Sequence, residues 1–278
     1  MAKLRINGDS SGYVDLEAPN AASSSTLDLD QVPQMDQVNN FTENVGINRS
    51  TPQSKFEVWT GNGELSHFGS NNANANNNYT GITLGYAESG ANSNYRKVGI
   101  VAVGRGDGAA RQDLAFLVDS NADGNSVDLG DTKMRISHEG YVTTPYQPSF
   151  YAYPQGGGIA STNGYTTPGL DNTSYNIGNH WNTSTATFTA PTAGYYYFKF
   201  AVYWNSTNGY SRLRIEKNGT DINHYNIKPG LGGDHSQEVS GIVSMSANDT
   251  IKPQVQSDQS NSYFRAKNHT YFEGYLIG

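Results

Sequence analysis

The strongest constraint on the fold is a series of short alternating segments separated by glycine- and asparagine-rich turns. Segments such as Lys55–Trp59, Gly81–Tyr86 and Lys133–Ser137 alternate apolar and polar residues, as half-buried strands do. Val98–Val103 and Leu114–Val118 are continuous apolar runs that are typical of buried strands. No helical period of useful length accompanies them. The pattern therefore predicts an all-β chain.

Composition excludes several other classes of protein. The 278 residues contain no cysteine, so disulfide scaffolds, thiolate nucleophiles and cysteine-based metal sites are excluded. Only 15% of residues are charged and the net charge is −7, which argues against broad binding to nucleic acid. We expect neither membrane insertion nor a secretory signal, because no apolar run is long enough for either. We also expect no cofactor.

Charge and tyrosine divide the chain near a proline-containing segment, Tyr141–Pro148. Residues 1–148 hold 10 Lys/Arg and 17 Asp/Glu, whereas residues 149–278 hold 8 of each. Six tyrosines precede residue 149 and 13 follow it. We predict three domains: an attachment segment at 1–40, a β-rich middle domain at 41–145 and a C-terminal domain at 146–278. Short strands are expected at Leu4–Ile6, Val14–Leu16 and Leu27–Leu29 in the first.

The last domain is predicted to be built from strands joined by tight hairpins. The predicted strands are Ser149–Tyr153, Thr185–Thr189, Gly194–Trp204, Arg212–Lys217, Glu238–Ser244, Thr250–Gln256 and Tyr271–Ile277. Asn208-Gly209 and Asn218-Gly219 supply the turn residues that hairpins require. This spacing predicts a sandwich or a jelly roll.

A family resemblance lies on six segments of this domain. They are Pro148–Ala152, Tyr175–Asn179, Thr187–Phe198, Leu213–Gly219 with Ser240–Ile251, and the closing Tyr271–Ile277. Together they resemble the globular head of complement component one-q, which is related to the tumour necrosis factor fold. The resemblance implies a ten-stranded jelly-roll head that assembles as a homotrimer.

Alternation along Gly194–Trp204 gives the trimer a physical basis. One face carries Tyr196, Phe198, Phe200 and Val202, and the other carries Tyr195, Tyr197 and Tyr203. The first set can fill the sandwich. We predict that Tyr195, Tyr197 and Tyr203 lie in the trimer interface, because rings with a polar tip favour interfaces. The alternative is that these tyrosines coat a solvated sheet.

The middle and first domains resemble a different class of protein. Asn44–Val58, Asp131–Val142 and the opening Leu4–Gly12 are similar to segments of bacteriophage tail-fibre and related virion proteins. This resemblance implies a structural virion protein, made in the host cytoplasm, that contacts other virion proteins through residues 1–40. Its head would bind a host surface glycan or protein receptor. A capsid-bound head fibre and a glycan depolymerase remain alternatives, although we expect no enzymatic activity.

Two groups of side chains are candidate ligand sites. Aromatic and amide groups of the loop after Gly194–Trp204 suit sugar binding, and the candidates are Trp204, Asn208, Tyr210, His224, Tyr225 and Arg265. Asp119, Asn121 and Asp123 resemble the first half of a calcium loop. The twelfth position of that loop is Gly130 rather than glutamate, so an ordinary turn is the preferred interpretation.

Overall fold

The computed structural model describes most of the chain from residue 75 onward and short segments before it. The described residues are 3–7, 13–17, 45–47, 53–54, 56–58, 60, 62–63, 65–70, 75–85, 96–159, 164–207, 209–228, 233–258, 263–266 and 269–278. The chain divides into two compact units, residues 1–67 and residues 68–278. The predicted domain limits at 40 and 145 stay predictions.

The first unit contains two strand pairs. β1 (Lys3–Asn7) pairs antiparallel with β2 (Tyr13–Glu17), and β3 (Val45–Ile47) pairs parallel with β4 (Phe56–Val58). The predicted strands around Leu4 and Val14 are therefore confirmed. The predicted strand at residues 27–29 lies outside the described residues.

A five-stranded antiparallel sheet, here called the middle sheet, begins the second unit. Its strands pair in chain order. They are β5 (Tyr79–Leu84), β6 (Val98–Gly104), β7 (Gln112–Val118), β8 (Thr132–Ile136) and β9 (Val142–Thr143). A single 3₁₀ turn (Leu129–Asp131) precedes β8. The predicted strands of this region are confirmed with small shifts of their ends.

The two sides of the middle sheet differ. On one side, Val101, Val103, Ala115 and Leu117 are buried and pack with Val127 from the β7–β8 connection. The other side, here called the apolar face, consists of the opposite phase of the same strands. Cross-strand pairing arranges its side chains in rows, Leu84–Val98–Val118, Ile82–Ile100–Phe116–Met134 and Ala102–Leu114–Ile136–Val142.

Two packed sheets form the C-terminal sandwich. A seven-stranded sheet contains β10 (Ser149–Tyr153), β11 (Gly158–Ile159), β12 (Asn172–Ile177), β15 (Gly194–Thr207), β18 (Gly233–Met245), β20 (Tyr263–Phe264) and β21 (Tyr271–Leu276). A five-stranded sheet contains β13 (Trp181–Asn182), β14 (Thr187–Thr189), β16 (Ser211–Lys217), β17 (Thr220–Lys228) and β19 (Thr250–Ser257). The resemblance predicts ten strands for this domain. Its described residues form twelve strands, of which β11, β13 and β20 have only two residues each.

Aromatic rings fill the space between these sheets. Phe150 stacks on Trp181 and Phe188 with ring centroids 4.8 and 5.1 Å apart, and Phe198 stacks on Phe272 at 5.7 Å. Every second residue of β15 from Tyr196 to Trp204 is buried, as the alternation predicts for the sandwich-filling set. The β16–β17 hairpin turns at Asn218-Gly219, where both residues have positive φ.

Helices do not contribute to the described architecture beyond the one 3₁₀ turn. Within the described ranges, no helix has the length and apolar character required to cross a bilayer.

Candidate functional site

The outer side of the seven-stranded sheet carries a cluster of tyrosines, here called the tyrosine face. It consists of the outward side chains of β10, β12, β15, β18 and β21, namely Tyr151, Tyr175, Tyr195, Tyr197, Tyr203, Ile242, Tyr271 and Tyr275. These residues share a face because each strand alternates between the core and the outside. The sequence prediction found only the three members on β15.

Neighbouring rings of the tyrosine face contact one another across strands. Tyr151 stacks on Tyr271 with ring centroids 5.0 Å apart and lies 6.4 Å from the Tyr175 ring. Tyr197 and Tyr275 form a second pair at 5.3 Å. Such pairs stiffen a flat surface, because each ring restricts the rotamers of the next. The face is thus preorganised for a flat partner.

Several side chains of the tyrosine face are exposed at one end of the sheet. In the single chain, the exposed fractions are 59% for Tyr195, 60% for Ile242 and 48% for Tyr275. Large side chains at this exposure form a contiguous apolar patch, and such patches mark interaction surfaces. The structure places Tyr195, Tyr197 and Tyr203 together, and their role as trimer contacts stays a prediction.

One ion pair lies within the tyrosine face. Lys199 Nζ is 2.9 Å from Glu238 Oε2 and 5.9 Å from the centre of the Tyr271 ring. The hydrogen bond to Glu238 raises the pKa of Lys199 above its usual value. Burial raises the pKa of Tyr151 and of Tyr175, so both phenols stay protonated at neutral pH and can donate hydrogen bonds.

A groove of about 320 Å³ lies at the opposite end of the tyrosine face. Tyr203, Glu238, His269 and Tyr271 are among its lining residues. Arg265 lies beside it, with Nη2 2.9 Å from Asp234 Oδ2 and its guanidinium 5.1 Å from the Tyr203 ring centre. Arg265 and Tyr203, which were predicted for different sites, therefore belong to one polar cluster.

The prediction that Trp204 binds a ligand is wrong for this chain. Trp204 is fully buried in the sandwich core, and its Nε1–H donates to Gln237 Oε1 at 2.7 Å. The predicted strand ended at this residue, whereas β15 continues to Thr207 and keeps Trp204 in the inward phase. A ring in that position has no free face for a sugar.

The other predicted ligand residues do not form a single described site. Tyr210 is 48% exposed and stands 5.5 Å from the Arg212 guanidinium. His224 and Tyr225 lie on β17 of the five-stranded sheet, whereas Arg265 follows β20 of the other sheet. Asn208 lies outside the described residues, as do the side chains of His224 and Tyr225.

Lys97 contacts two of the carboxylates that were considered as calcium ligands. Lys97 Nζ lies 2.5 Å from Asp119 Oδ2 and 2.7 Å from Asp123 Oδ1. The same carboxylates accept turn N–H groups from Asn121 and Asn125. The hydrogen bond from Lys97 is the main cause that lowers the pKa of Asp119. This salt-bridged arrangement of Asp119, Asn121 and Asp123 fits the preferred interpretation as an ordinary turn, and it disfavours calcium because Lys97 already neutralises the carboxylates.

One sequence signal could have extended the tyrosine face beyond β15. Tyr271, Glu273 and Tyr275 alternate with buried residues in the closing strand, as do Tyr151 and Tyr153 in the opening one. The alternation assigns these residues to one side of their strands. Which strands are neighbours cannot be read from the alternation, so the face as a whole could not be assembled from sequence.

Comparison with known proteins supports a family for the C-terminal part. The family model described as "C1q domain" matches residues 159–277, and no curated protein sequence matches the chain. Solved structures with similarity include the globular domain of zebrafish complement 1qA, at 18% identity and a TM-score of 0.37, covering 48% of this chain and 98% of that one.

Two further solved structures are similar to the same share of the chain. Murine APRIL at pH 5.0 is 12% identical with a TM-score of 0.40, covering 47% of this chain and 99% of that one. The Eiger TNF from S. frugiperda is 9% identical with a TM-score of 0.36, covering 48% and 93%. The family match supports a C1q-like jelly-roll fold for the C-terminal part, which is built from two antiparallel sheets.

Proposed function

We propose that the chain is a structural fibre protein of a bacteriophage particle, assembled as a homotrimer and bound to the host surface through its head. The observation that carries the trimer is the tyrosine face, which exposes Tyr195, Ile242 and Tyr275 in the single chain. C1q/TNF-like domains typically form homotrimers and are generally binding modules rather than enzymes. The viral setting rests on the resemblance of the preceding segments to virion fibre proteins.

Burial of the tyrosine face would leave the loops of the head for a host receptor. Tyr210 is the exposed aromatic residue predicted for sugar binding, and the Arg212 guanidinium lies beside its ring. An aromatic ring with adjacent hydrogen-bond donors suits a sugar ring and its hydroxyl groups. Three heads on one particle would add avidity to weak single contacts.

Competition for host cells tests the receptor proposal. Purified full-length protein is expected to block adsorption of the phage, and Tyr210→Ala is expected to weaken that block severalfold. Tyr141→Ala is the matched control, because Tyr141 is 71% exposed and precedes the head. Equal blocking by both variants would remove Tyr210 from the receptor site, and no blocking by the wild type would remove the receptor role.

The location on the particle separates the fibre from a capsid-bound decoration protein. Because the chain has no cysteine, one introduced cysteine can carry a gold label at a chosen position. Electron microscopy of labelled particles is expected to place the head at the tail. Labels distributed over the capsid would favour the decoration protein instead. Incubation with host polysaccharide, followed by sizing, tests the depolymerase alternative.

A further inference from the structure

The apolar face of the middle sheet is exposed in the single chain. Its exposed fractions include 41% for Ile82, 53% for Leu84, 39% for Leu114 and 42% for Val118. The sheet already has a core on its other side, where Val101, Ala115 and Leu117 are buried. The apolar face is therefore surplus to this core, and exposed apolar patches mark interaction surfaces.

Asp113 and Arg135 lie on the other side of the same strands. Asp113 is buried there and accepts a hydrogen bond from Arg135 Nε at 2.7 Å, and Arg105 lies 3.5 Å away. Pairing of Ala115 with Arg135 shows that Arg135 shares the buried phase. The outward side chains of the described strands β5, β6 and β7 carry no charge. Across these three strands, a second copy of the face would meet no like charges.

A groove of about 610 Å³ lies between the end of the middle sheet and the tyrosine face. It is lined by Thr143 and Pro145 on one side and by Ile177, Tyr275 and Ile277 on the other. Gln147 donates to the Leu276 carbonyl at 2.7 Å, and Tyr146 donates to the Gly130 carbonyl at 3.2 Å. The short connection is thus fastened to both the middle sheet and the head.

We infer that the apolar face is a second self-association surface, which packs against the same face of the two other copies. This inference rests on the proposed trimer of heads. Heads arranged around one axis hold three middle sheets at high effective concentration, so apolar faces of modest affinity associate. The trimer would then be held at two levels, by tyrosines in the head and by aliphatic side chains before it.

Cysteine cross-linking of the full chain tests the second surface. Leu114→Cys places one thiol on the apolar face, on the central strand of the sheet, in a chain that otherwise has none. A short bismaleimide is expected to join two chains of each trimer, which converts up to about two thirds of the protein to covalent dimer. Thr83→Cys, on the opposite phase of β5, is the control and is expected to remain uncross-linked.

Light scattering on the same samples separates the two proposals. A trimeric mass with cross-linking at Leu114→Cys only supports both. A trimeric mass without that cross-link, or with equal cross-linking at Thr83→Cys, overturns the second surface and leaves the trimer of heads intact. A monomeric mass overturns the trimer, and the second surface with it. Val118→Cys repeats the test if Leu114→Cys does not fold.

Discussion

Gly274 shows how closely single residues of the head are fitted. It pairs with Phe198 on β15 and with Phe150 on β10. A Cβ at this position would collide with the Phe198 ring and come within 3.0 Å of the Phe150 ring. The absence of a side chain therefore permits the aromatic core to close over β21.

Gly274→Ala is expected to destabilise the head by about 1–3 kcal/mol, because overpacking forces buried rings from their rotamers. Urea unfolding followed by tryptophan fluorescence, at fixed protein concentration, measures the change. Gly156→Ala is the control, since a Cβ there meets nothing within 4 Å. Equal effects of the two substitutions would contradict the packing explanation.

In the middle sheet, the single residue Asp113 is a buried charged group. Its side chain is 2% exposed and accepts hydrogen bonds from Arg135 Nε and from the His138 N–H. Burial alone would raise the pKa of Asp113, but these partners hold it below its usual value. The carboxylate therefore stabilises the fold above about pH 4, and this contribution is lost as the pH falls through the lowered pKa.

Asp113→Asn is expected to destabilise the middle sheet by about 2 kcal/mol, because the buried acceptor of the Arg135 hydrogen bond loses its charge while both arginines stay partly solvated. Hydrogen exchange of peptides covering β6–β8 measures this local change. Asp107→Asn, which breaks the Asp107–Arg111 pair of the β6–β7 turn, is expected to cost less than about 1 kcal/mol. An effect of Asp107→Asn as large as that of Asp113→Asn would contradict this difference.

At the scale of elements, Asp249 joins the β16–β17 hairpin turn to the connection between β18 and β19. Its carboxylate accepts from Lys217 Nζ at 2.9 Å, from Asn218 Nδ2 at 2.7 Å and from the Ser246 N–H at 2.7 Å. These hydrogen bonds, with that from Lys217 the largest cause, lower the pKa of Asp249 to about 2. Strands β16, β18 and β19 are thereby tied at their ends.

The lowered pKa sets the direction of the pH dependence. Stability from Asp249 is complete above its unfolded pKa of about 4 and is lost as the pH falls towards 2. Asp249→Asn is expected to lower the urea midpoint at pH 6 and to narrow its difference from the wild type at pH 2. Asp258→Asn serves as a control. A constant difference for Asp249→Asn between pH 6 and pH 2 would contradict the assignment.

Strands could be predicted from sequence where a face alternates, but their ends and neighbours could not. Ser149–Tyr153 was predicted with the observed bounds, because five residues alternate between core and surface. The predicted strand ends at Trp204, three residues before the end of β15, because Asn205-Ser-Thr has the composition of a turn. Pairing of Asn205 with Tyr263 keeps that segment extended, so tertiary contacts override local preference.

The tyrosine face could be predicted only in part, because the sequence does not show which strands are neighbours. Alternation placed Tyr195, Tyr197 and Tyr203 on one outward face, whereas it could not show that Tyr275 and Ile242 complete that face. The ion pair of the Asp119 turn could not be predicted, because Lys97 lies 22 residues from Asp119 in the sequence and only the fold brings them together. Long-range ion pairs of this kind leave no local pattern in a sequence.

At the scale of the whole molecule, net charge is distributed unevenly along the chain. The net charge of −7 belongs to residues 1–148, and residues 149–278 are neutral. Association of heads is therefore not opposed by net charge. The apolar and tyrosine faces lie on the same compact unit, where each lacks a cover in the single chain. The proposed self-association would cover both surfaces.

The tyrosine face can be weakened without burying a charge in the monomer. Tyr195→Glu combined with Ile242→Glu replaces two side chains that are about 60% exposed in the single chain. At low micromolar concentration the mass of this variant is expected to fall below that of the wild type. Thr220→Glu combined with Ser184→Glu, on exposed residues of the other sheet, is expected to leave the mass unchanged.

The mass of the full-length wild-type protein in solution tests the homotrimer most directly. Multi-angle light scattering at micromolar concentration is expected to give about 90 kDa, three copies of the 30.1 kDa chain. A mass of 30.1 kDa under the same conditions would contradict the proposed trimer.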